Sequence, residues 1–481
     1  MIVVLEKNIF KTDSGKTFVL NDILDEEFYK FSDTIVDEYH VDLCICNDIF
    51  FTFVQKIIGL KRYFEMNSVE RINIDVLSCD FDLACMTIAA ADSLKILVSL
   101  NKAGFVLAKI KDLTKSVVFF CGSIGYILLK AVFQKYTGSP DTSYDKFSII
   151  RINQEYNKFG FLREDKEILF DYERIQNTLS KNEKVSVLGN VYDKFRFGQK
   201  LSWLLRSIKK AFVMMSDEKK FLKSKLGTYA AMASRSYYAK RVVHINFYTE
   251  MLDSYFSLFK NKTYITGKIW DRYAMAEKRT AEKYGIKVVV YPHGVGYGFR
   301  LPDGFNGDVF YAFSAHSADH FNRIYKTEKF LFDGNVVGLL LGRKYQKNDG
   351  SPKVVFFSEA HEPEVNIEIV QKLLETFDKN DIKLVLKPHP IEQLEFYSDF
   401  KDRIIFENDF DKAITGNFCI ARRSTTLLEA IYNGSVPYAL LTNVSDYAIY
   451  KMYPALHDER IFPYFETERL AEAIVEKVRR R

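Results

Sequence analysis

Residues 353–390 read KVVFFSEAHEPEVNIEIVQKLLETFDKNDIKLVLKPHP, and this stretch decides the fold class. Lys353 to Ser358 opens with an unbroken run of Val and Phe, the pattern of a strand buried on both faces. From Asn366 to Asn380 the apolar residues Ile367, Val370, Leu373, Leu374 and Phe377 recur at helical spacing. Ile382 to Leu386 is a second apolar strand. Strand, helix and strand in this order make a βαβ unit, whose two strands run parallel. The pattern continues downstream. Arg403 to Phe406, Phe418 to Ala421 and Val436 to Leu441 read as strands. A helix from Thr425 to Tyr432 stops at Asn433-Gly434, and Thr467 to Arg479 is a closing amphipathic helix. Five strands alternating with helices predict a Rossmann-like domain over residues 353–481.

Ahead of it, Gly342 to Pro352 is polar, carries Gly and Pro, and separates two apolar segments, as a domain boundary does. Residues 1–342 then form a second α/β domain. Its expected strands are Asp42 to Cys46, Ile72 to Leu77, Ser116 to Phe120, Thr263 to Thr266 and Ile286 to Tyr291. Gly122 to Gly125 is expected to lead from the third of these into a helix, and Arg272 to Tyr284 is another helix. Residues from about 160 to 250 read as a basic helical insertion.

Composition narrows the function classes. The 481 residues are 47% hydrophobic and 27% charged, which supplies a full core and excludes a disordered chain. A net charge of +5 is mildly basic: it suits anionic ligands or an anionic surface, and falls short of a histone-like binder. No DNA- or RNA-binding motif is present, so nucleic acid is not an expected partner. The six cysteines (Cys44, Cys46, Cys79, Cys85, Cys121, Cys419) form no C-x-x-C pair. They read as free thiols of a reducing compartment rather than zinc ligands or disulfides. The N-terminal MIVVLEKNIF is no signal peptide. The most apolar run, Val117 to Leu129, has 13 residues, against the roughly 20 needed to cross a bilayer. A cytoplasmic protein, able to touch the inner face of the membrane, is expected.

In open parallel sheets ligands bind beyond the carboxyl ends of the strands. Polar residues follow four predicted strands. Ser358, Glu359 and His361 follow the first strand of the C-terminal domain, and Lys387 and His389 the second. Arg422, Arg423, Ser424, Thr425 and Thr426 follow Phe418 to Ala421 and open a helix carrying Glu429. In the N-terminal half, Pro292-His293-Gly294-Val295-Gly296 follows Ile286 to Tyr291. Any one of these loops has an ordinary structural use as a cap or turn. Their coincidence points to an anion site in which hydroxyls and helix N–H groups meet phosphate oxygens and Arg and Lys neutralise them. His293 has the chemistry of a general base near neutral pH.

Lys387-Pro388-His389-Pro390 followed by Ser424-Thr425-Thr426-Leu-Leu-Glu429 resembles the HP and Ser/Thr motifs of bacterial GT-B glycosyltransferases. These are the sialyltransferases and Kdo transferases of capsule and lipopolysaccharide assembly, which use CMP-activated acidic sugars. The Pro-His-Gly loop is similar to that of the Kdo transferases and of CDP-glycerol glycerophosphotransferases. The likeness spans Tyr264 to Ala430. It implies two Rossmann-like domains facing a cleft, with the donor held by the C-terminal one. It implies that His389, Ser424, Thr425 and Thr426 hold the donor phosphate and that Glu429 meets the ribose. The nucleotide is expected near Ser358, Glu359, His361 and Glu429. It further implies no metal and no cofactor beyond the nucleotide-sugar donor, and a glycan or lipid-linked glycan acceptor. The acidic base motif of the sialyltransferases is not evident: Pro302-Asp303-Gly304 is the nearest string, with Asp48 and Asp80 as alternative acids. Transfer of glycerol or ribitol phosphate from a CDP donor, a UDP-sugar transferase or epimerase, and an inactive scaffold of a capsule complex are the competing readings.

Lys194 to Leu226 carries ten basic and two acidic residues. Trp203, Leu204, Leu205, Ile208, Phe212 and Met215 give it an apolar face at helical spacing. Such a helix suits either a packed domain helix with solvated lysines or docking on an anionic membrane.

Overall fold

The computed structural model describes residues 1–23, 50–139, 147–150, 184–187, 192–258, 263–266, 273–292, 294–296, 298–300, 306–343, 345, 351–360 and 362–480. The chain is a mixed α/β protein of two compact units. The first gathers the described residues up to Val290 and those of Phe299–Val309; the second gathers Tyr291–Gly298 and the described residues from Phe310 onward.

In the first unit a five-stranded sheet has the order β3-β2-β1-β4-β5. Its strands are β1 (Ile2–Glu6), β2 (Ile9–Thr12), β3 (Thr17–Phe18), β4 (Arg71–Ile74) and β5 (Leu97–Leu100). The first three pair antiparallel, while β1, β4 and β5 run parallel. This sheet is therefore mixed. The second set comprises β6 (Phe147–Ile150), β7 (Lys184–Val187), β8 (Thr263–Thr266) and β9 (Lys287–Val290), parallel in the order β9-β8-β6-β7. The helix Val242–Phe256 buries residues on every side, including Val243, Ile245, Phe247, Met251 and Tyr255. That is the burial of a helix at the centre of a unit.

One expectation fails here. Ser116 to Phe120 is not a strand and Gly122 to Gly125 is not a loop. Both lie inside a single helix, Lys102–Phe133, capped by the Asn101 side chain on the Gly104 N–H at 3.2 Å. The Val-Val-Phe-Phe run looks like a strand because β-branched and aromatic residues favour strands, but the surrounding helical turns carry through it and override that local preference. The apolar run Val117 to Leu129 thus belongs to a helix of 32 residues, long and apolar enough by length and composition to cross a membrane. The strand Asp42 to Cys46 and the residues Asp48, Pro302, Asp303 and Gly304 lie outside the described residues.

The second unit contains the strands β10 (Val309–Tyr311, from Phe310 on) and β11 (Phe330–Leu331), paired parallel. Its sheet comprises β12 (Val354–Phe357), β13 (Leu384–Lys387), β14 (Ile404–Phe406), β15 (Phe418–Ala421), β16 (Val436–Leu440) and β17 (Phe462–Tyr464). The order is β14-β13-β12-β15-β16-β17, parallel throughout. Numbered within the domain this is 3-2-1-4-5-6, the doubly wound dinucleotide-binding order. All residues of β12, β13 and β15 are buried, so their sequences show no alternation. The helices Pro363–Phe377 and Thr467–Arg479 pack together over the sheet through Ile369, Val370, Leu373, Leu470, Ile474 and their neighbours. The sixth strand, β17, was not expected: two of its three residues are exposed, so it lacks the apolar run of a central strand.

The units part near Val290, ahead of the polar segment Gly342 to Pro352 expected to divide them. Asn433 explains why residues up to 343 stay with the second unit. Its side chain donates to the Leu341 carbonyl at 2.9 Å and accepts from the Arg343 N–H at 2.6 Å.

Candidate functional site

The strand order reverses between the neighbouring strands β12 and β15, and at such a switch point the connections after the two strands leave toward opposite faces of the sheet. Parallel neighbours lie about 4.8 Å apart, so the loops after β13, β12 and β15 stand side by side. Hydrogen bonds knit them. Ser358, buried at the end of β12, accepts from the His389 N–H at 3.1 Å and donates to Glu392. Glu392 also accepts from the Asn366 amide at 2.9 Å and the Tyr397 hydroxyl at 2.7 Å. Asn366, fully buried, donates to the Glu359 carbonyl at 2.7 Å. A single carboxylate therefore anchors both the β12 and β13 loops.

His389 is exposed, and its Nδ1 accepts from the Ile391 N–H at 3.4 Å, an arrangement that suits a ring proton on Nε2. Pro388 is buried and Pro390 begins a turn, so the loop is stiff on both sides. Lys387 is buried and its ammonium donates to the Pro388 carbonyl at 2.8 Å. Burial pushes its pKa down, with Glu407 and Asp409 opposing.

The arginines are engaged rather than free. Arg422 is fully buried and donates to Asp446 at 2.8 and 2.6 Å and to Glu362. Arg423 donates to Asp446 at 2.7 Å and to Glu362 at 3.2 Å. Two cations thus face two carboxylates, and the β15 loop is tied to the β12 loop through Glu362. Burial works to raise the Glu362 pKa, but hydrogen bonding and charge from Arg422, with Arg423, hold it below the usual carboxylate range. The Nη1 atom of Arg422 remains buried without a partner.

Ser424 accepts from the Thr426 N–H at 3.2 Å and donates to the Thr426 hydroxyl at 3.0 Å. The helix begins at Thr426, one residue later than expected, and has seven residues. Thr425 and Ser424 are half-buried at its start. Glu429 pairs with Arg343, whose Nε lies 3.4 Å from Asp411. Gly294 and Gly296 belong to the second unit's Tyr291–Gly298 segment. That segment is held by the Gly298 N–H, which donates to the Met452 carbonyl at 2.6 Å. His293 and His361 lie outside the described residues.

Sequence reasoning placed Ser358, Glu359, Lys387, His389 and Arg422 to Thr426 at one sheet edge, and the structure puts them on adjoining loops. It missed Glu392, Asn366, Tyr397, Glu362 and Asp446. The one available signal was the acid three residues beyond His389; the others come from helices or distant loops.

No known protein-family profile matches the chain, and no curated protein matches it. Among solved structures it is similar to S. aureus MnaA in complex with UDP, at 12% identity over 69% of this chain and 96% of that one, with a TM-score of 0.34. It is also similar to the spinosyn rhamnosyltransferase SpnG complexed with thymidine diphosphate, at 8% identity over 69% and 89% of the chains, with a TM-score of 0.26. At these scores neither likeness bears on the function.

Proposed function

We propose that the chain is a GT-B glycosyltransferase of bacterial surface polysaccharide synthesis, transferring an acidic sugar of the sialic acid or Kdo type from a CMP-activated donor to a glycan. The observation that carries this reading is the joining of the Ser358, His389 and Arg422–Thr426 loops at the switch point of a doubly wound sheet. In this reading the nucleotide lies against the ends of β12 and β15, and Ser424, Thr425 and Thr426 meet its phosphate. His389 donates its Nε2 proton as a hydrogen bond to the phosphate oxygen, which gains negative charge as the glycosidic bond breaks. Arg422 and Arg423 supply positive charge already balanced by Asp446 and Glu362. No divalent metal takes part, so turnover persists in excess EDTA. The protein works in the cytoplasm.

A nucleotide panel tests it. CMP and CDP should raise the melting temperature and UDP should not. A CDP response with phosphotransfer activity moves the assignment to the CDP-glycerol class, and a UDP response to UDP-sugar enzymes. No response to any nucleotide leaves an inactive scaffold and overturns the enzyme reading.

A further inference from the structure

The helix Lys102–Phe133 packs Phe105, Ile124 and Ile127 on the core, yet much of its aliphatic surface faces outward, against the usual amphipathic sense. A helix on a soluble unit buries apolar residues and exposes polar ones. Here the buried positions are Gly104, Asp112, Ser116, Ser123, Ile127 and Ala131. Val106, Ile110, Val117, Val118, Leu129 and Val132 are instead 54–61% exposed. The inward face is fastened by polar bonds: Asp112 pairs with Arg235 at 2.7 Å, and the Ser123 hydroxyl donates to the Lys240 carbonyl at 3.0 Å. The apolar surface continues onto a neighbouring helix, Phe197–Leu226, through the Phe120 and Phe212 rings, 5.2 Å apart. On that helix Leu205, Phe212 and Val213 are each more than half exposed. Its expected apolar face is otherwise spent on the protein, since Trp203 and Leu204 are buried and Arg206 and Lys210 pair with the buried Glu250.

We propose that this paired-helix face inserts into the cytoplasmic leaflet of an anionic lipid bilayer. Charge decides for lipid over another protein. The long helix carries five lysines (Lys102, Lys109, Lys111, Lys115, Lys130) and one acid, Asp112, which is buried and paired. Lysines beside exposed aliphatic residues match headgroup phosphates above acyl chains. The helix does not cross the bilayer: its inward face is bonded to the unit, and Lys109, Lys111 and Lys115 would each oppose insertion at the membrane centre. The inference stands independently of the donor nucleotide, because it uses no residue of the second unit.

The test is co-sedimentation with vesicles of phosphatidylcholine alone or mixed with phosphatidylglycerol at about 7:3. The parent should sediment with the mixed vesicles. The variant V117Q/V118Q/L129Q, whose substitutions are all solvent-facing, should partition about tenfold less or weaker still. K109Q/K111Q/K115Q should keep the parent's melting temperature and lose the preference for phosphatidylglycerol. A parent that binds neither vesicle, or a triple-Gln aliphatic variant that binds as the parent does, overturns the proposal. So does a lipid-free parent dimer, seen by light scattering, that the aliphatic substitutions convert to monomer; the face would then be covered by a second copy.

Discussion

At the scale of single residues, His389 and Glu392 separate chemistry from support. His389 is exposed on a loop stiffened by two prolines, and its Nδ1 is engaged by the Ile391 N–H, which suits Nε2 for donation. His389→Ala is predicted to fold with an unchanged melting temperature and to lose about 10²–10³ in kcat, the worth of one transition-state donor. His457→Ala, outside the loops after β12, β13 and β15, should retain turnover; equal losses in both variants would refute the assignment. Glu392 acts at one remove. Glu392→Gln puts an amide opposite the Ser358, Asn366 and Tyr397 donors and should cost about 1–3 kcal/mol of stability, with kcat falling less than in His389→Ala. Glu362 gives the pH dependence. Its pKa in the folded chain lies below the unfolded value of about 4.3. Its stabilising contribution is therefore complete above that unfolded pKa and disappears as pH falls through the folded one. Melting temperatures between about pH 5 and 3 should decline less steeply in Glu362→Gln than in the parent.

At the scale of elements, Gly298 shows how the Tyr291–Gly298 segment is fastened to the end of the helix Val444–Met452. A Cβ there would meet Pro454 Cγ at 3.0 Å, His320 Nε2 at 3.2 Å and the Met452 carbonyl oxygen at 3.2 Å. Gly298→Ala is expected to displace the loop and destabilise the second unit by about 1–3 kcal/mol, measured by denaturant melts; parental stability would show that the neighbours give way freely. Legibility also differs by element. The helix Thr467–Arg479 and the strands of the C-terminal sheet could be read because each has one period and a uniform environment. The helix Lys102–Phe133 could not, because many of its aliphatic residues face outward while Asp112, Ser116 and Ser123 are buried beside Ile127 and Ala131. Pattern rules assume that water lies on the polar side, and Val117 to Phe120 then reads as a buried strand. β1 and β2 went unnoticed because they are short and half-exposed.

At the scale of the whole molecule, each unit has its own hydrophobic core, one centred on the helix Val242–Phe256 and one on β12, β13 and β15. The loop residues of the site were legible because a parallel sheet places every strand's carboxyl end on one edge, so the residues after each apolar run must be neighbours. Their countercharges were not, because Glu362 and Asp446 reach Arg422 from 60 and 24 residues away. A ligand held by one unit stabilises that unit first, by about 2.7 kcal/mol at a concentration a hundred times Kd. Calorimetry of the full chain should therefore show CMP shifting the unfolding of the second unit while the first unit's melting stays in place. Replacing Ser424 and Thr425 together by Ala should remove most of that shift, since both hydroxyls stand at the proposed phosphate. The same substitutions should lower the nucleotide-free melting temperature modestly, by the loss of the Ser424 hydrogen bonds to Thr426, worth about 0.5–2 kcal/mol. A full CMP shift in the double variant would move the phosphate away from the Ser424 loop, and a shift confined to the first unit would move the nucleotide off the β12–β15 switch point altogether.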